Sequence, residues 1–87
     1  MARWQDRNIA GDRARDANAG QEFFELGLIC ATENAAADFI SAHKWFNLAA
    51  LYGNKQAGVL RLEIAGEMSD SEIAAAQRAA RYWLATH

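Results

Sequence analysis

The chain has 87 residues, of which 52% are hydrophobic and many of these are alanine, so it suffices for one small domain with a marginal core. A formal net charge of −2 gives no reason to expect binding to nucleic acid or to an anionic membrane surface. No apolar run approaches the roughly 20 residues of a membrane span, and the first residues lack the apolar core of a signal peptide, which predicts a cytoplasmic protein without membrane insertion.

Residues 1–19 are mostly polar and form the first predicted unit, an N-terminal arm. Four arginines alternate with three aspartates, and Trp4 and Ile9 are its only large apolar side chains. The arm is expected to be either flexible or a capping helix whose Trp4 docks on the body or on a second subunit. Arginines diluted by aspartates in this way do not indicate a nucleic-acid patch.

A first amphipathic helix is predicted from Gln21 to about residue 32. Gly27 in its middle costs roughly 1 kcal/mol relative to alanine, which predicts a close crossing by a neighbouring helix. Residues 33–37 are then expected to form a connection. The apolar positions of this first helix are Phe23, Leu26, Leu28, Ile29 and Cys30.

The second predicted helix is the most apolar segment of the chain and runs from about Phe39 to Tyr52. Asp38 is predicted to be its N-cap, because a carboxylate accepts the free amides of the first turn and suits the positive end of a helix. Gly53 is expected to end the helix at a positive φ. The buried face is predicted to comprise Ala42, Trp45, Ala49 and Tyr52, widened by Phe46 and Ala50.

Two further helices complete an all-α fold. Asn54 is predicted to begin a third helix that continues to Met68, with its apolar stripe at Ala57, Leu60, Ile64 and Met68. The run Ser69-Asp70-Ser71-Glu72 matches a capping box and predicts a fourth helix that ends near Ala85. Its inward stripe is Ile73, Ala76, Ala80, Trp83 and Leu84. No segment alternates with period two, and proline is absent.

The second and fourth helices partly repeat one pattern, since Ala42-x-x-Trp45-Phe46 can be laid over Ala80-x-x-Trp83-Leu84. Together with Leu26-Gly27, Asp38, Ala49-Ala50, Gly53 and Ala57, this pattern resembles the Sel-one-like repeat (SLR) family, relatives of the tetratricopeptide repeats, and looks most like its bacterial members. The resemblance implies a right-handed α-solenoid of two stacked antiparallel helix pairs over residues 20–86, with a first repeat at about 21–53 and a divergent second repeat at 54–86.

What the resemblance implies about function is a non-catalytic adaptor or regulatory module that binds another protein, with no catalytic residue and no cofactor. Two departures matter. Cys30 stands where the family usually has an aromatic residue, and the second repeat lacks the leucine-glycine pair. Stacked repeats also usually need about three units for stability, so either the N-terminal arm or a second chain is expected to cap the two present here.

The residues capable of metal binding or catalysis do not form a predicted site. His43, His87 and Cys30 are the only soft metal ligands, and none lies at the i, i+4 spacing of a helical zinc pair. Cys30 is interpreted as a core residue and His43 as a partly exposed surface group. Nothing resembles an activated nucleophile. Neither a metal nor an enzymatic role is expected.

In helix-pair solenoids the first helix of each pair lines the concave side, and the resemblance therefore assigns partner contacts to the first and third helices. The residues predicted to contact a partner are Glu22, Glu25, Ile29, Gln56, Val59, Arg61 and Glu63. The alternative is a structural homo-oligomer subunit, with a homodimer as one expected form, in which aromatic side chains seal the open end of another copy. The residues predicted for this self-association are Trp4, Phe24, Tyr52 and Trp83. A small-molecule-binding or enzymatic role ranks third.

Overall fold

The computed structural model describes residues 18–32 and 36–87, and these residues form helices and no strand, which confirms the all-α prediction. Trp4 and the rest of residues 1–17 lie outside the described residues. The described residues form four helical segments. They are α1 (18–32), α2 (Ala36–Leu51), α3 (Lys55–Ala65) and α4 (Asp70–Thr86). None of these described helices is long and apolar enough to cross a bilayer.

The start of α1 differs from the predicted boundary, because the chain is already helical at residue 18. Ala19 packs against the core, and Gly20 is buried against the end of α2. A Cβ at Gly20 would lie only 3.1 Å from the backbone oxygen of Tyr52. Residues 18 and 19, assigned to the arm from the sequence, therefore belong to the helical body.

The start of α2 also corrects the sequence prediction. The helix begins at Ala36, so Asp38 lies inside its first turn and is not the N-cap residue. The physical reason is the pair Ala36 and Ala37 before Asp38: alanine has the highest helix propensity, and these two residues are helical rather than part of a connection. An aspartate in the first turn still suits the positive end of the helix dipole.

The end of α2 agrees with the prediction, and it fixes the direction of α3. Gly53 has a φ of +96°. The Asn54 amide donates to the Ala49 carbonyl at 2.9 Å and the Gly53 amide donates to the Ala50 carbonyl at 3.0 Å, which is a Schellman ending. Asn54 is also the N-cap of α3, since its Oδ1 accepts from the Ala57 amide at 2.9 Å. One short link thus stops one helix and starts the next.

The link between α3 and α4 begins earlier than predicted. The third helix ends at Ala65 rather than Met68, because Gly66 has poor helix propensity and its amide turns back to the carbonyl of Glu63. The predicted capping box is confirmed. The Glu72 amide donates to Ser69 Oγ at 3.1 Å, and the Ser69 amide donates to Glu72 Oε1 at 2.8 Å.

Helix α2 is the centre of the packing. It packs against both α3 and α4, while α1 contacts it through aromatic rings, including Phe23 on Trp45 at a centroid distance of 5.6 Å. The predicted close crossing at Gly27 is confirmed: a Cβ there would lie 2.5 Å from two ring carbons of Phe46. The contacts of Gly20 with Tyr52 and of Gly27 with Phe46 make α1 and α2 antiparallel.

Burial follows from this central position. Ala42, Phe46 and Ala49 are buried as predicted, and Leu48, outside the predicted face, is only 1% exposed. Leu48 is buried because neighbouring helices cover more than one side of α2. The other helices each bury one stripe, with Ala57 and Ile64 in α3 and Ala76 and Ala80 in α4.

Candidate functional site

An apolar cleft lies where α1, α2 and α3 meet. Its volume is about 290 Å³, and it is open to solvent. Each of the three helices contributes to its wall. The lining residues are Leu28 and Ala31 of α1, Phe39 and Phe46 of α2, Leu60, Glu63 and Ile64 of α3, and Glu67 just after α3. Six of these eight side chains are apolar, so the cleft is a candidate site for an apolar group.

The α3 wall of the cleft follows directly from helical spacing. Leu60 and Ile64 are four residues apart within α3, so they occupy one side of the helix on successive turns. Ile64 is buried at 8% exposure, whereas Glu63 and Glu67 are exposed. The side of α3 that faces the cleft is therefore apolar at depth and acidic at the edge.

The acidic edge lies at an electrostatically unfavourable place. Glu63 is in the last turn of α3, where the helix dipole is negative, and that turn contains no basic residue. Glu67, two residues beyond the end of α3, adds a second exposed carboxylate to this edge. No basic side chain among the described residues lines the cleft. This edge therefore favours a positively charged neighbour.

Only one of the residues predicted to contact a partner lies in this cleft, and it is Glu63. The α1 residues of that prediction surround a separate shallow depression of about 270 Å³ together with Leu26. These are Glu22, Glu25 and Ile29. Leu26 and Leu28 are two positions apart on α1, so they point to opposite sides of it. The structure thus divides the predicted α1 and α3 residues between two surfaces.

The remaining predicted contact residues lie elsewhere on α3. Gln56 and Val59 are exposed, Val59 at 57%. Arg61 is only partly exposed, and its Nη1 donates to Asn47 Oδ1 of α2 at 2.8 Å. The guanidinium of Arg61 therefore already has a partner within the chain. Whether any of these residues contacts another protein stays a prediction.

The aromatic residues predicted for self-association are used inside the chain where the structure describes them. Phe24 is only 9% exposed and packs on Phe46 at a centroid distance of 6.0 Å. Tyr52 and Trp83 are partly buried and meet Phe23 edge-on at 5.4 Å and 5.0 Å. Little of Phe24 is left for a second subunit. Self-association through Tyr52 and Trp83 stays a prediction, and Trp4 lies outside the described residues.

His43 is a correction to the sequence analysis. Its side chain is buried at 3% exposure, not partly exposed, and its Nδ1 has no hydrogen-bond partner among the residues that the structure describes. Burial, reinforced by the positive charge of Arg61, lowers the pKa of His43 from the ordinary value of 6.5. The neighbouring Lys44 suggested an exposed position, but only the packing of other helices on α2 decides the burial of this side.

The other candidate ligands belong to different parts of the fold from His43, Cys30 to α1 and His87 to the end of α4. Cys30 packs, partly buried, against the core, as predicted for a core residue. His87 stacks on Trp83 at 4.3 Å at the far end of α4. Within residues 18–32 and 36–87, no group of three or more histidine, cysteine or acidic side chains could hold a metal ion. The apolar cleft is therefore the best-formed candidate site in the described part of the chain.

The sequence contained a partial signal for the cleft. The periodicity of α3 predicts Leu60 and Ile64 as part of one buried apolar stripe, but it does not distinguish Phe39, Ala31 or Glu67 as residues of a cleft. The periodicity of apolar residues along a helix is the same whether or not a neighbouring helix covers that face. Comparisons of the chain with protein-family models, with curated proteins and with solved structures found no match.

Proposed function

We propose that the chain is an SLR-type module, a right-handed solenoid of two antiparallel helix pairs, that acts as a non-catalytic adaptor or regulatory protein by binding another protein. Its expected setting is the cytoplasm. The antiparallel contacts of α1 with α2 and the short Gly53-Asn54 turn into α3 support this arrangement. The observation that carries the functional proposal is the open apolar cleft beside the core.

Two properties of the cleft favour a protein partner over a small molecule. Its volume of about 290 Å³ lies at the bottom of the range of roughly 300–1,000 Å³ for ligand pockets, so it suits one or two side chains. Its polar groups are two exposed carboxylates at the edge, with none placed at depth to orient a substrate. An apolar centre with a polar edge is the usual anatomy of a protein interface.

Site-specific photo-crosslinking in an extract of the source organism tests the proposal. Leu28 and Leu26 form a matched pair, since they are 38% and 39% exposed on the same helix and only Leu28 lines the cleft. A photoreactive residue at position 28 is expected to crosslink one other protein, and the same residue at position 26 is not. Crosslinking from position 26 alone would favour the α1 surface predicted from the sequence. No crosslink from either position would contradict the adaptor function.

A structural homo-oligomer is the second candidate, because large apolar side chains are exposed on the second helix pair. Leu62 is 71% exposed, Tyr82 72% and Leu84 40%. Exposed apolar surface of this kind would be covered if copies associated. Light scattering and circular dichroism over one dilution series separate the two functions. An oligomer should lose mass and helicity together on dilution, whereas an adaptor should remain a helical monomer.

A further inference from the structure

We propose that the cleft binds an amphipathic segment of a partner protein that inserts a large apolar side chain and places lysine or arginine residues beside Glu63 and Glu67. This inference rests on the proposed function and specifies the chemistry of the partner. It follows from three properties of the cleft: its shape, its apolar depth and the sign of its edge.

The shape and the apolar depth of the cleft determine which side chain of a partner can insert into it. The cleft is open and is lined by apolar side chains of α1, α2 and α3, and an amphipathic helix docked in an apolar groove is a common mode of peptide recognition. Phe46 itself is only 2% exposed, so the accessible surface comes mainly from the walls. A leucine or aromatic side chain of the partner would cover Leu28 and Leu60 and exclude water from them.

The acidic edge of the cleft determines which charge on a partner is favoured. Both acidic groups lie on the α3 side, within and just after the negative end of that helix, and no basic side chain of the described chain shares the cleft. A lysine or arginine of the partner would face two carboxylates and a helix carboxyl end together. An acidic segment would be repelled by the same two carboxylates. The edge would therefore discriminate against acidic partners as well as attract basic ones.

Selection from a peptide display library against the full chain tests this chemistry. The selected peptides are expected to combine an apolar or aromatic residue with lysine or arginine within about one helical turn, since the apolar lining and both carboxylates belong to one small cleft. A parallel selection against Glu63→Lys/Glu67→Lys should reverse the charge preference. A matched control, Glu22→Lys/Glu25→Lys, changes the net charge equally outside the cleft and should leave the preference unchanged.

A synthetic peptide from the selected pool then measures the two contributions by fluorescence anisotropy. Glu63→Gln/Glu67→Gln is expected to weaken its binding about three- to tenfold, as for a pair of exposed ion pairs, and added salt should weaken the wild type but not this variant. Leu28→Gln is expected to weaken binding at least about threefold, whereas Leu26→Gln changes it less than about twofold.

The outcomes separate this inference from the proposed function. Two results would overturn the proposed partner chemistry but leave the binding function intact. In the first, the selected peptides depend on Leu28 but show no preference for basic residues. In the second, they still prefer basic residues after charge reversal at Glu63 and Glu67. A pool with no enrichment, or with peptides indifferent to Leu28→Gln, would contradict both. Circular dichroism of each variant establishes that it is folded before its binding is compared.

Discussion

The second and fourth helices share a sequence pattern but are used differently. Ala42 and Ala80 are both buried, and Trp45 and Trp83 meet edge-on at 6.4 Å. The next positions diverge, since Phe46 is 2% exposed and Leu84 40%. Phe24 and Gly27 of α1 pack on Phe46, whereas the buried residues of α4 are Ala76 and Ala80. A repeated pattern therefore predicts which residues can pack, while the neighbouring helices decide which of them are buried.

The largest expected effect comes from truncating the two diverging positions. Phe46→Ala should lower the free energy of unfolding by about 3–5 kcal/mol, because it opens a cavity under α1. Leu84→Ala should lower it by about 1 kcal/mol or less, because its side chain is partly in water already. Urea unfolding followed by circular dichroism measures both. Equal losses of unfolding free energy in the two variants would show that α4 is packed as fully as α2. If Phe46→Ala does not fold, the loss for Phe46→Leu can be compared with that for Leu84→Ala instead.

A second contrast compares how tightly α1 and α3 approach α2. Gly27→Ala should destabilise by about 1–2 kcal/mol, since a Cβ 2.5 Å from the Phe46 ring overpacks the crossing and alanine's helix propensity offsets only part of this. Gly58→Ala should stabilise by about 0.5–1 kcal/mol, because its Cβ would meet only Ala50 Cβ at an ordinary 3.9 Å. Thermal unfolding of both variants should give shifts of opposite sign. A stabilised Gly27→Ala variant would disprove the tight crossing.

The start of α4 should depend on local hydrogen bonds. Ser69→Ala removes the acceptor of the capping box and should cost about 1 kcal/mol of stability. Ser71→Ala is the control, since Ser71 is exposed and its only hydrogen bond recorded among the described residues is the long one of 3.3 Å to Ser69. Helicity and urea midpoints of the two variants provide the measurement. Equal effects would mean that packing, not the cap, fixes the beginning of α4.

The smallest expected effect is a pH dependence of stability that comes from His43 in α2. Because the folded pKa of His43 is lowered, the unfolded chain takes up the proton first, and stability is complete above the ordinary value of 6.5 and falls as the pH drops through it. His43→Leu should flatten this slope between about pH 7.5 and 5.5, above the range where carboxylates titrate. Urea midpoints across this range decide the matter, and a slope unchanged by His43→Leu would contradict the assignment.

Much of the helical fold was predictable because its signals are local. The Gly53 ending, the Asn54 start and the Ser69–Glu72 box each depend on residues within one or two turns, so short stretches of sequence specify them. The two misplaced boundaries are at Ala36 and Ala65. The balance between helix and connection is close at both places, so alanine extends the start of α2 and Gly66 shortens the end of α3. The crossing at Gly27 was also predictable, since a glycine inside an apolar helix needs a packing reason.

The candidate site was less predictable, because it depends on what covers each apolar stripe. Periodicity identified Leu60 and Ile64 as inward-facing but not that part of their side remains open beside Leu28. The same limitation explains the burial of His43 and Leu48, since other helices pack on the sides of α2 that carry them. The sequence by itself determined that the fold is helical, the caps at Gly53, Asn54 and Ser69, and the close crossing at Gly27, which follow from local propensity, hydrogen bonding and residue size. Only the tertiary structure decided which apolar faces are closed and which form the cleft, because burial depends on neighbours distant in the chain.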